Sequence, residues 1–388
     1  MLKNLAYLLL FIFSFIIGSP ATSQVKEPGY TYIPWERIKI NDIEKKESDT
    51  VVVIITTRKF SLDKTQIFSK DQDSPGHLHY VVARLKNKTW NLEIKHSFEE
   101  AALAMPSNKD FLFYVHGDGK TFPDVLEGGL RMSILYGVNF VAFDYPTRDE
   151  TLPFWKNFHT SIVNVNNAVT SFGKMINEVK TYRALYDNNI KYTMLLHSLG
   201  NELIKNSPGF QHSSIVFENI VMNAPAVKQR KHSKWVENIA LQKNIYIISN
   251  RRDIILTGAY FLTFKSYLGK KHRRPLAQNA TYVSLDNVAG HKHSFFIDIE
   301  LLNLSPSVKH FYDQILHGLP ADNKTCCYLK AKKNSNNYSM KKKPDCEFFI
   351  AQEKALPTAP AAPSMTELSF TNFINQIFHT KKFRTGSN

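Results

Sequence analysis

Short apolar runs recur along this chain, each stopping at a polar motif, and that recurrence constrains the fold more than any other feature. Val51–Thr57 is β-branched and continuous. Asp110–Val115, Asn139–Phe143, Tyr192–Leu196, Ile215–Met222, Asn244–Ser249 and Ala280–Leu285 follow it. Such runs read as strands buried on both faces, the state of strands in a parallel sheet. His79–Leu85 is a further strand, and Leu92–Ile94 extends the same opening sheet. Helical stretches lie between: about Asp124–Tyr136, then Asn157–Tyr186 with Ile162, Val165, Ala168, Val169, Phe172 and Ile176 at helical spacing. Lys234–Leu241, a helical or lid-like insertion at Ile254–Leu268, and a closing helix at His310–Leu316 complete the set. Alternation of this kind predicts an α/β protein, a mainly parallel sheet with helices on both faces. Sites in such sheets lie beyond the C-terminal ends of the strands.

The polar motifs fall at those ends, and the segment KYTMLLHSLGN, Lys191–Asn201, carries the most chemistry. Its apolar run stops at His197-Ser198-Leu199-Gly200, and a helix is predicted to start behind it. A serine on such a tight strand-to-helix turn is held clear of the backbone, with free helix N–H groups aimed at whatever it attacks. The usual pattern is Gly-x-Ser-x-Gly. Gly200 fills the second glycine position, whereas Leu196 stands in the first and is expected to strain or widen the turn.

A serine hydroxyl becomes a nucleophile only when a base takes its proton and a carboxylate orients that base. The chain supplies Ser198, then Asp253, then His293 or His291, with Asp286 a rival acid. An oxyanion needs N–H donors already in place. Leu199 N–H is one candidate and Asp118 N–H, in the loop after His116-Gly117, is the second. The Asp118 carboxylate would then stand at the mouth of that loop and oppose the developing charge. Plainer roles compete: Ser198 and Asp253 as helix caps, His116 as the residue that fixes its loop. Tyr260, Phe261, Phe264 and Tyr267 read as core or lid packing rather than a lipid-binding surface, placed to overhang the serine.

The order of acid and base after the serine, each behind a strand, resembles the α/β-hydrolase fold. The set YVHG, FDYP, LHSLGN, NAPAV and YIISNRRD is similar to a bacterial branch of lipase/esterase-like serine hydrolases, in which FVHG, F-x-WP, AHSMGN, AAPD and VYxSxxD recur in this order. The likeness covers roughly Phe111 to Phe296. It implies Ser198 as nucleophile, Asp253 as orienting acid and His293 as base. The family pattern ends Gly-His-Ser-aromatic. Here His293-Ser294-Phe295 matches its end and Gly290-His291 its front, which keeps His291 as the alternative base. Ala226 stands where the family often has Asp. The implied activity is cleavage of a carboxylic ester, on a small molecule or a lipid, with no metal and no organic cofactor.

At the N-terminus, Lys3, the apolar run Leu5–Ile17 and the small residues of Gly18–Ser23 make a secretory signal, cut around Ser23-Gln24. The run is shorter than the roughly 20 residues that span a bilayer. Export to the periplasm or the medium is therefore expected. The domain reading is a signal peptide over 1–23, a hydrolase domain over 24–319 and a Lys/Asn-rich, Pro-containing tail over 320–388, loosely attached and without chemistry. Cys326, Cys327 and Cys346 all lie in that tail, where a bridge from Cys346 to one of the adjacent pair is plausible chemistry. The net charge is +15. Lysines at 324–343 hold part of it. Two shorter clusters, Lys228/Arg230/Lys231/Lys234 and Lys270/Lys271/Arg273/Arg274, hold more. With no nucleic-acid motif, this charge points to solvated faces or weak association with an acidic envelope surface. The competing functional class is a non-catalytic binding protein of the cell envelope that keeps the fold.

Overall fold

The apolar runs form one sheet. In this computed structural model the structure describes residues 38–40, 50–60, 67–86, 89–149, 151–186, 189–207, 214–322, 327–332, 336–342 and 344. The segment read as a signal peptide, Cys326, Cys346 and most of the C-terminal tail lie outside them. In chain order the strands are β1 (Ile38–Ile40), β2 (Val51–Thr56), β3 (Arg58–Phe60), β4 (Phe68–Gln72), β5 (His79–Lys86), β6 (Thr89–Lys95) and β7 (Phe111–Val115). They continue with β8 (Asn139–Asp144), β9 (Tyr192–His197), β10 (Phe217–Asn223), β11 (Gln242–Ser249), β12 (Ala280–Ser284), β13 (Leu329–Ala331) and β14 (Asn337–Met340). Twelve of them make the main sheet, in the order β1-β6-β5-β2-β8-β7-β9-β10-β11-β12-β14-β13, while β3 and β4 pair as a separate ribbon. From β2 through β12 to β14 every neighbouring pair is parallel. Antiparallel pairing is confined to β2–β5–β6 at one side and β13–β14 at the other.

The helices are α1 (Phe98–Ala102), α2 (Phe122–Tyr136), α3 (Phe154–Asn167), α4 (Val169–Leu185), α5 (Asn201–Asn206), α6 (His232–Val236), α7 (Ile254–Thr263), α8 (Ile299–Leu304) and α9 (Pro306–Leu316). The central strands are apolar on both faces because a core lies on each side. Leu195 of β9 joins Val125 and Met132 of α2 and Phe311 and Tyr312 of α9 in one cluster. Met194 and Leu196 join Phe98 of α1, Val165 of α3 and Phe172 and Ile176 of α4 in the other. Each such fully buried side chain stabilises the fold by about 1.5–3 kcal/mol. Among the described residues no helix is long and apolar enough to cross a membrane.

Three expectations change. The helix read over Asn157–Tyr186 is two helices meeting at Ala168, whose ψ of −8° flattens the chain. The residues before the joint explain the break: Asn164 donates its side-chain amide to Pro146 O and Asn166 donates to Ile162 O, so both side chains engage backbone carbonyls. The helix read over Lys234–Leu241 ends at Val236, after which Asn238 and Ile239 turn back through N–H bonds to Trp235 and Val236. Finally, the boundary at 319/320 does not end the sheet. β12 presents an unpaired edge that β14 takes up, and Tyr328 and Met340 are fully buried in the core. Composition marks this segment as a tail, yet two well-placed apolar side chains and a free strand edge suffice to dock it.

Candidate active site

β9 ends at His197 and the chain turns at once into a short 3-10 segment, Ser198–Gly200, and then α5. Ser198 sits at φ 51°, a left-handed conformation that non-glycine residues adopt at a cost of about 1 kcal/mol or more. Close approach of the neighbouring loop enforces it. A Cβ on Gly117 would lie 2.7 Å from Ser198 Cβ, and one on Gly200 would lie 2.5 Å from His116 O. The two glycines thus supply the small volume that the turn needs. Leu196, expected to widen it, instead points into the helix-covered core with no exposure. Its side chain packs in that core, and the close approach at the turn falls on Gly117 and Gly200 instead. Asn201 closes the turn by donating its amide to Leu196 O at 3.1 Å and Ser198 O at 2.9 Å.

Asp253, at the end of the segment after β11, is fully buried. Its two oxygens have different partners. Oδ1 accepts the Leu256 N–H at 2.9 Å and caps α7, while Oδ2 lies 2.5 Å from His293 Nδ1. Asp253 thus caps a helix and contacts the His293 ring at once. With Nδ1 so engaged, the His293 Nε2 is the nitrogen left to exchange a proton. Its ring centroid is 4.6 Å from that of His197, the residue next to Ser198. His291 is elsewhere: exposed, two residues earlier, its Nδ1 against Arg252 O at 3.1 Å. Asp286 accepts the Arg251 backbone N–H at 2.7 Å and pairs with the Arg251 guanidinium, and among the described residues no histidine hydrogen-bonds to it. Among the described residues no hydrogen bond reaches the Ser198 hydroxyl. Contacts of this kind tighten when substrate enters.

Two asparagines that the sequence did not single out hold the loop that carries His293. Asn250 donates its amide to Gly290 O at 2.9 Å and Lys292 O at 3.1 Å. Asn223 lies against His197 Nδ1 at 3.1 Å and donates to His293 O at 3.4 Å, while Tyr312 OH donates to its Oδ1 at 2.6 Å. Asn223 is the first polar side chain at the end of its apolar run and Asn250 the first residue beyond its own, which is the signal that could have found them. The Asn223 amide makes His197 Nδ1 an acceptor, so Nε2 carries the hydrogen toward Ser294 Oγ at 3.2 Å. Burial, then repulsion from His293, holds the His197 pKa well below its ordinary value. His197 thus packs between the Ser198 turn and the His293 ring.

The loop His116–Gly119 lies against Ser198, bringing the Asp118 N–H candidate beside the turn that carries Leu199 N–H. The Asp118 carboxyl is held aside: its Oδ1 is 2.5 Å from Ser161 Oγ on α3, and that hydroxyl also lies 2.7 Å from Thr147 O. Burial pushes the Asp118 carboxyl above its usual range. One hydroxyl hydrogen cannot serve two acceptors, and a neutral Asp118 donating to Ser161 satisfies all three groups. Beneath the loop lies a buried network that the sequence did not reveal. Arg58 donates to Asp144 Oδ2 at 2.8 Å and to Lys120 O at 3.0 Å. Thr56 donates to the same carboxylate at 2.6 Å, and His116 Nε2 lies 3.1 Å from its Oδ1. Burial pushes the Asp144 carboxyl up, but the Arg58 charge and the His116 contact outweigh it and hold it far below the ordinary range. His116 also stacks on Tyr145, ring centroids 4.6 Å apart, so it fixes the loop.

α7 runs from Asp253 and, with its C-cap Phe264, presents Ile255, Tyr260, Phe261 and Phe264 to solvent, Phe264 at 74% exposure. Of the four aromatics expected to pack as core or lid, only Tyr267 is buried; its own backbone forms a β-bridge with Lys228. The same bridge sets the two basic clusters side by side. Gln229 N–H donates to Ser266 O at 2.9 Å and its side chain to Lys271 O. Compared with known proteins, the chain matches no family model and no curated protein.

Proposed function

We propose that the chain is an exported serine hydrolase of the α/β-hydrolase fold, lipase/esterase-like, that cleaves a carboxylic ester. In this reading Ser198 Oγ attacks the ester carbonyl carbon as its proton passes to His293 Nε2, and Asp253 stabilises the imidazolium through Nδ1–H. Leu199 N–H and Asp118 N–H receive the oxyanion. The intermediate collapses when the alkoxide leaves with the proton returned by His293. Water, activated by the same imidazole, then releases the acid and restores Ser198. The single observation that carries the reading is the 2.5 Å contact between Asp253 and a His293 ring packed beside the strained Ser198 turn.

The exposed apolar face of α7 supports an apolar acyl group, and the joined basic clusters support weak association with an acidic envelope surface. The apolar run Leu5–Ile17 behind Lys3 supports export. One experiment tests activity and export together: a fluorophosphonate probe applied to fractionated cells expressing the full chain. Wild type is expected to label in the exported fraction, with an N-terminus near Gln24, and Ser198→Ala is expected not to label. Folded wild type that takes no probe would overturn the enzyme reading in favour of a non-catalytic binding protein.

A further inference from the structure

A second polar assembly lies at the turn between β4 and β5, outside the machinery of the proposed hydrolase. His77 and His79 stand two residues apart on extended chain, so their side chains share a face, while Leu78 and Tyr80 are buried on the other. Asp73 returns over that shared face. Its Oδ2 is 2.7 Å from His77 Nδ1 and 3.1 Å from His79 Nε2. The three ligating atoms lie within 4.8 Å of one another.

The backbone around them is fixed on every side. Asp73 N–H donates to Thr57 O at 2.8 Å, and His77 N–H donates to Ser74 O at 3.0 Å. Gly76 N–H donates to Ser171 Oγ on α4 at 2.9 Å. Ser74 N–H donates to Asp73 Oδ1 at 2.7 Å, which leaves Oδ2 to face the imidazoles. Phe60 and Phe68 wall the far side of His79, with ring centroids about 6 Å away.

We infer that Asp73, His77 and His79 form a binding site for a divalent transition-metal cation, with Zn2+ the best fit. Two imidazole nitrogens and one carboxylate oxygen are the donor set of a three-ligand zinc site with a water in the fourth position. Calcium and magnesium favour oxygen ligands and gain little from imidazole. Around tetrahedral zinc, ligand atoms bonded at about 2.0–2.2 Å stand about 3.3 Å apart. To admit the ion, the separations of 2.7 and 3.1 Å from Asp73 Oδ2 need to open by about 0.6 Å and about 0.2 Å. His77 is exposed, which gives the ion an entry path and room for its water.

The ion would cross-link two parts of the fold. Asp73 follows the β3–β4 ribbon, and His79 opens β5 of the main sheet. The ribbon also meets the rest of the molecule through Lys70, paired with Asp149 at 2.7 Å, and through Phe68, stacked on Phe122 at 4.5 Å. β5 lies four strands from β9, roughly 19 Å at the usual strand spacing. The site therefore acts on the ribbon and not on the ester, and it stands or falls independently of the hydrolase reading.

The test is zinc binding to the full chain after chelator treatment, followed by calorimetric titration and thermal unfolding. The wild type is expected to take one zinc ion per chain at this site, with micromolar or tighter affinity, and to unfold at higher temperature when zinc is present. His77→Ala and His79→Ala are expected to weaken binding at least about tenfold and to lose the thermal shift. His159→Ala, an exposed histidine on α3, is expected to keep both. His77 is exposed, so its loss leaves the fold intact and the comparison interpretable. Absence of a saturable zinc site, or a site that survives His77→Ala unchanged, would overturn the proposal.

Discussion

Asp253 shows how one side chain can combine two roles that a sequence presents as alternatives. Its Oδ1 caps α7 and its Oδ2 holds His293. An amide can still accept the Leu256 N–H, but it removes the negative charge opposite the imidazole. Asp253→Asn is therefore expected to keep urea stability within about 1 kcal/mol, the scale of a helix cap, while ester turnover falls by about 10^4-fold. Equal losses in both measurements would make Asp253 a cap alone. The Ser198 neighbourhood was legible in part. HSLGN identifies the turn, but that Gly117 rather than residue 196 provides the missing volume depends on which loop crosses the strand end.

Among the elements, α7 is the one whose role most changed between sequence and structure. Tyr260, Phe261, Phe264 and Tyr267 have the composition of packed residues, and three of them face water. Periodicity tells which residues share a face and not whether another element covers it. If α7 contacts the acyl group, Phe264→Ser removes apolar surface at the most exposed position. Turnover of p-nitrophenyl esters with long chains is then expected to fall several-fold relative to short ones, because each buried methylene is worth about 0.8 kcal/mol. An unchanged chain-length profile would assign those aromatics no part in substrate binding. The β7, β8 and β9 runs, by contrast, were readable almost to the residue. Uninterrupted apolar strands ended by a polar motif leave little freedom of interpretation.

For the whole molecule, buried histidines set how the fold responds to acid. Burial holds His79, His197, His232, His272 and His310 below their ordinary value, His272 down to about 3. The unfolded chain takes up these protons first, from about pH 6.5 downward. Their contribution is complete above that pH and is lost as pH falls toward the lowered folded values. His317 works in the opposite sense: its hydrogen bond to Asp110 raises it, so it stabilises below about pH 6.5 and loses that contribution as pH rises through its folded value. Asp118, pushed up by burial, also favours acid. Five groups against two predict a urea midpoint that drops between pH 7.5 and pH 5, by on the order of 1 kcal/mol in stability. A flat or rising midpoint would show that the buried histidines do not govern the response.

The sequence alone determined the alternation of strands and helices, the end of the sheet where chemistry collects, and the order of serine, acid and histidine. These properties are local, set by apolar run length and by what interrupts it. Tertiary structure decided which histidine meets Asp253, where the Asp118 carboxyl goes, and whether α7 is covered. It also decided that Arg58 and Asp144 underpin the loop beside Ser198, and that residues 329–340 join the sheet. Each of those outcomes depends on contacts between residues far apart in the chain, where packing and the pairing of buried charge select one arrangement among several that local pattern permits.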